Sequence, residues 1–129
     1  MEFKSKKQAN ECLSEWKQRL FLNDWTIKLL IVKPKYIEGF QGTCEFDYSI
    51  SSAVIRITKS NKDLKKRIVK YCAEETLVHE LLHCKYNLIK QDNSYEGILT
   101  DMHEHQLIEQ MAKSLIMAKY GLTFDWFAS

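Results

Sequence analysis

The chain has 129 residues, 45% of them apolar and 28% charged, with four glycines and one proline. That composition excludes a collagen-like, low-complexity or linker-dominated protein, and the length suits one hydrophobic core, so a single domain over residues 1–129 is expected. A net charge of +2 is too balanced to make nucleic acid an expected partner. No apolar run approaches the roughly 18 residues of a membrane span, and no apolar segment follows the basic N-terminus as a cleaved signal would require. The expectation is a soluble, cytoplasmic protein with no membrane partner.

Residues 5–22 read as an amphipathic helix, with Ala9, Cys12, Leu13, Trp16 and Leu20 on one stripe and Asn23-Asp24 ending it. Residues 25–32, WTIKLLIV, have the β-branched and aromatic content of a strand that Pro34 stops. The glycines at 39 and 42 make 35–42 a loop. In 43–50, Cys44, Phe46, Tyr48 and Ile50 alternate with polar residues at a period of two. A Ser51-Ser52 turn then joins this strand to 53–58 as a hairpin.

Residues 59–70 carry six basic residues and one acid, with Asn61 placed to cap a short helix. Leu77, Val78, Leu81, Leu82, Leu88 and Ile89 give 73–90 a broad apolar face, as a central buried helix would need. After the break at 91–100, Asp101 and Glu104 have the spacing of a capping box. Ile108, Met111, Ala112, Leu115 and Ile116 then mark a helix of about five turns, which Gly121 stops. Phe124, Trp126 and Phe127 are expected to cover the core. The four cysteines, Cys12, Cys44, Cys72 and Cys84, contain no Cys-x-x-Cys pair, which excludes a zinc ribbon and favours free thiols in a reducing compartment.

The chemistry lies in His79-Glu80-Leu81-Leu82-His83. Histidines at i and i+4 stand one above the other on a helix, so both imidazoles can reach one ion. Glu80 projects about 100° round from His79, so it misses the ion yet can approach a water bound to it. Chance gives this pattern in roughly one such chain per hundred. A catalytic zinc needs a third protein ligand and one open position. The metzincin completion fails, because Tyr86 and Ile89 stand where it requires Gly and His.

The last helix offers the third ligand instead. Glu109 lies 26 residues beyond His83, beside the apolar stripe of that helix, and shares a face with His105. A carboxylate so placed is costly to bury unless something positive pairs with it, which a zinc ion does. His105 can serve as a transition-state donor, as a partner of a ligand, or as the third ligand itself. His103 falls on a different face.

VHELLH followed by HxxxIExxAxxL resembles the small zincin metallopeptidases of the gluzincin type, in particular short single-domain versions from phages and mobile elements. The resemblance covers about residues 72–117 with specific motifs, and more loosely the first helix and WTIKLLIV. It implies an α+β, zincin-like fold: an N-terminal helix, a small mixed sheet, the HExxH helix, and a C-terminal ligand-bearing helix packed against it, in agreement with the small three-stranded sheet with a hairpin read above. It makes His79, His83 and Glu109 the ligands of one Zn2+ and Glu80 the general base of a peptidase acting on protein or peptide substrates. It also implies an edge strand, sought in 43–58, that pairs with an extended peptide.

Two features depart from that pattern. Lys113 stands where larger gluzincins have an acid that orients a zinc-bound histidine, and no motif fixes an oxyanion donor, leaving His105, Tyr48, Tyr86 and Tyr95 as candidates. Two alternatives follow. One is a zincin-fold binding or regulatory module without turnover. The other is a DNA-associated metalloprotease in which His103 or His105 replaces Glu109 and the basic run, Lys59 to Lys70, holds nucleic acid.

Overall fold

The computed structural model describes residues 2–38, 40–59, 71–89 and 98–128. Helix α1 spans Lys6–Arg19. Ser5 caps it, its hydroxyl accepting the Gln8 amide at 3.0 Å, while the Gln8 side chain reaches back to the Lys4 amide. Ala9, Leu13 and Trp16 form its buried stripe, close to the pattern read from the sequence. The chain leaves α1 through Phe21, a non-glycine residue at φ 56°, with Leu22 N–H donating to the Lys17 carbonyl and Phe21 N–H to that of Gln18.

Three strands follow: β1 (Thr26–Val32), β2 (Gly42–Asp47) and β3 (Ser52–Thr58). The sheet order is β1-β3-β2, with β3 parallel to β1 and antiparallel to β2, so the sheet is mixed and β2 is an edge. The expected hairpin forms, with Asp47 opposite Ser52. Two details differ from expectation. Residues 34–37 of the expected loop form a 3-10 turn, and Gly42 already belongs to β2.

The alternation read in 43–50 also fails to become burial. The strand ends at Asp47, Tyr48–Ile50 is a 3-10 turn, and Phe46, Tyr48 and Ile50 are exposed. An edge strand is covered only where another element lies on it, and α2 covers only its start, at Gly42 and Cys44. The central strand carries the load instead, with Ala53, Ile55 and Ile57 buried.

Helix α2 (Ala73–Ile89) lies on the sheet, and α3 (Ile98–Tyr120) packs against α2. Leu77, Val78 and Leu81 of α2 are fully buried and meet Ile108, Ala112 and Ile116 of α3 in one core with Trp16, Ile55 and Ile57. Because α3 already runs from Ile98, Asp101 lies inside it, and the capping-box reading is corrected: Glu104 is buried, with Oε1 3.7 Å from His83 Nδ1. Gly121 ends α3 at φ 63°, and a short α4 (Asp125–Ala128) follows. Phe127 is buried and Trp126 packs on the core, whereas Phe124 is exposed. The observed architecture is therefore α+β. The basic run, apart from Lys59, and Asn61 lie outside the described residues. No helix among those described is long and apolar enough to cross a membrane.

Candidate metal centre

Helix α2 presents Glu75, His79 and His83 at intervals of four, which places them along one face. Apolar packing on the opposite side of α2 aims that face at α3 and at the start of β2. Opposite it, α3 brings His105 and Glu109. The His79 and His83 rings lie 5.0 Å apart between centroids, and His105 lies 4.7 Å from His79 and 6.1 Å from His83.

The structure sorts these residues into two groups whose ligand atoms all lie within 4.8 Å of one another: His79, His83 and His105, and Glu75, His79 and Glu109. Both histidines of the motif thus meet a third histidine. Glu109, the ligand expected from the resemblance, meets His79 and Glu75. It accepts from His79 Nδ1 at 2.6 Å and pairs with Lys113 at 3.4 Å. Lys113, at the position where larger gluzincins have an orienting acid, here accompanies one, Glu109. His103 is exposed and belongs to neither group.

The electrostatics favour neutral imidazoles at His83 and His105. Burial, then the neighbouring His79, pushes His83 down to about 4, against the opposing pull of Glu104. The same two causes lower His105. A neutral imidazole keeps the lone pair that a metal ion requires. With His79 Nδ1 held by a carboxylate, the other ring nitrogen is left for an ion, an arrangement common among metal-binding histidines.

Three glutamates line the same cleft in different states. Burial raises Glu75, and its hydrogen bond with Glu109 adds to the rise. Burial also opposes ionisation of Glu109, but the bonds from His79 and Glu75 outweigh it and hold Glu109 well below the ordinary carboxylate range. Glu75 is therefore the protonated partner and Glu109 the ionised one. Burial, with the charge of Glu109, pushes Glu80 up to about 7 against the influence of His79. Glu80 is 5% exposed and its Oε2 has no hydrogen-bond partner.

The cleft has a volume of about 320 Å³ and is bordered by Phe40, Gly42, Glu80, His105, Lys113 and Phe127, among others. Gly42 sets how closely β2 approaches α2: a Cβ there would stand 2.9 Å from Thr76 Cγ2 and 3.2 Å from Glu80 Cγ. Tyr48 instead packs on Trp25 and Phe46, Tyr86 is half-buried against the core, and Tyr95 lies outside the described residues. Sequence reading passed over Glu75 and took Glu104 for a cap. The spacing of four from Glu75 to His79 was the available signal for the first, and adjacency to His105 for the second.

No family model, curated protein or solved structure matches the chain.

Proposed function

We propose that this chain is a zinc-dependent peptidase of zincin-like layout, with His79, His83 and His105 holding the metal and Glu80 acting as general base. The observation that carries the reading is the three-histidine group beside a buried Glu80 oxygen that has no partner. Three imidazoles are a donor set suited to zinc with a position left open. Bound there, zinc supplies Lewis acidity to polarise a carbonyl and to acidify water.

The remaining roles belong to the chain. Glu80 Oε2 accepts a proton from the attacking water and returns it to the leaving nitrogen, and a pKa raised toward neutrality suits both transfers. Glu109 orients His79 through Nδ1, and Glu75 holds Glu109 in turn. Gly42, which opens the edge strand β2, borders the cleft, and an extended peptide entering there can add to β2 as a further strand. The third histidine is the ligand that the DNA-associated alternative also requires, but that alternative rests on a basic run that, apart from Lys59, lies outside the described residues.

Metal analysis of protein purified without chelators tests the assignment. Wild type is expected to hold about one zinc, with His79→Ala and His105→Ala losing it and Glu109→Ala binding it roughly 10- to 100-fold more weakly. Full retention in His105→Ala with complete loss in Glu109→Ala would move the third ligand to Glu109. No zinc in wild type after reconstitution would remove the metal reading. Glu80→Gln should keep zinc and lose all cleavage of an unfolded protein mixture, scored as new peptide termini by mass spectrometry. Undiminished cleavage by that variant would overturn the mechanism.

A further inference from the structure

One pair of reactive groups has no part in the site chemistry above. Cys44 Sγ on β2 and Cys84 Sγ on α2 lie 3.6 Å apart, joined by a thiol hydrogen bond across 40 residues of sequence. Cys84 is fully buried, whereas Cys44 is partly open to solvent. Their position is specific: Cys84 directly follows His83, and Cys44 stands two residues past Gly42, where β2 meets Glu80. Cys12 and Cys72 are placed apart from this pair, Cys12 beside Glu74 and Lys119, and Cys72 at the start of α2.

Two thiols facing each other across a seam behave differently from one, because the second sulfur captures the product of oxidising the first. A disulfide needs its sulfurs about 2.05 Å apart, and the thiols already approach within van der Waals contact. We propose that Cys44 and Cys84 are a redox latch, closing to a reversible disulfide in the presence of a hydroperoxide and tying the edge strand to the helix turn that carries His83.

The steps balance with hydrogen peroxide as oxidant. The Cys44 sulfur attacks one peroxide oxygen, the O–O bond breaks, and one water leaves behind a sulfenic acid on Cys44. The Cys84 sulfur then displaces that hydroxyl as a second water, forming the S–S bond. Two thiols give up two electrons and two protons, and one peroxide becomes two waters. The bond with Cys84, and then burial, push the Cys44 thiol above the ordinary thiol range, so accessibility alone favours it as the first site: Cys44 is the partly exposed member of the pair and the enclosed Cys84 resolves. The latch goes beyond the metal reading and does not depend on it.

The test treats the full chain with hydrogen peroxide, in both chelator-treated and zinc-loaded form. Remaining thiols are then alkylated and the products mapped by peptide mass. The expected product is a Cys44–Cys84 link in both forms, reversed by dithiothreitol, with Cys12 and Cys72 alkylated. In Cys84→Ala, Cys44 should instead be trapped by dimedone as the sulfenic acid. Closing a loop of this length should raise Tm by on the order of 10 °C over the reduced protein. The latch is overturned if folded wild type gives no link, if the main link involves Cys12 or Cys72, or if the linked protein melts no higher than the reduced one. Because mass and melting read the link without turnover, its failure leaves the metal assignment standing, and absence of zinc leaves the latch standing.

Discussion

Of the three glutamates that helix α2 buries, Glu74 and Glu80, six residues apart, are treated in opposite ways. Glu74, 3% exposed, receives Trp16 Nε1 at 3.2 Å, Lys119 Nζ at 2.9 Å and Tyr120 Oη at 2.5 Å. Glu80, 5% exposed, has an oxygen with no partner. Burial alone pushes both carboxyls up. At Glu74 the hydrogen bonds from Tyr120, Lys119 and Trp16 outweigh it and bring the group below its ordinary value, whereas at Glu80 burial prevails. A buried carboxylate that is fully answered ties three elements together. One that is unanswered costs stability, and such a cost is retained where the group does chemistry.

The largest effect that would break this comparison is at Glu74. Glu74→Ala removes the partner shared by Trp16, Lys119 and Tyr120, leaving them to find water or nothing. Lys119 keeps Glu15 at 2.6 Å, so the loss should fall near the lower end for a broken buried pair, about 3 kcal/mol by urea denaturation. The pH dependence has a definite sign. Glu74 is depressed in the folded state, so its contribution is complete above the unfolded value of about 4.5 and disappears as pH falls through the folded one. The variant should lose part of the wild-type acid limb below pH 4.5. A variant as stable as wild type would mean that Glu74 does not hold α1, α2 and α3 together.

A smaller effect probes the other glutamate through its neighbour. Gly42→Ala places a methyl group against Thr76 Cγ2, Glu80 Cγ and the Arg56 carbonyl, the last being backbone that cannot rotate away. Overpacking of this kind costs about 1–3 kcal/mol. Because the strain falls on Glu80, cleavage should drop by more than zinc binding does. Equal losses in both would place the damage in the fold rather than at the base.

Much of this was legible in the sequence. Element order, the hairpin and the HExxH pair on a buried helix follow from local periodicity and from the i, i+4 rule, which need no tertiary information. What local pattern could not supply was register between elements. His105 and Glu109 share a face of α3, and only how far α3 slides along α2 decides which of them meets His83. The core that α2 and α3 share, which holds Leu77, Val78 and Leu81 with Ile108, Ala112 and Ile116, sets that slide. The same limit explains Glu104, whose spacing from Asp101 suits a cap but whose helix begins a turn earlier. It also explains Phe46 and Tyr48, apolar by pattern on a strand whose far half nothing covers.

The smallest expected effect tests whether Glu80 is truly unanswered. In metal-free protein, a carboxyl raised to about 7 favours the folded state fully below the unfolded value of about 4.5 and progressively less as pH rises to 7. Gln cannot titrate, so Glu80→Gln should escape that loss. Near pH 4 it should match wild type, and above pH 7 it should exceed it by about 1 kcal/mol, the low end for relieving an unpaired buried group. Urea midpoints at these two pH values provide the measurement. Parallel profiles would mean that Glu80 is as well answered as Glu74, and the unpartnered oxygen would then cease to mark the base. A gain confined to the high-pH side would assign the cost to the ionised carboxylate, the form that must accept the proton.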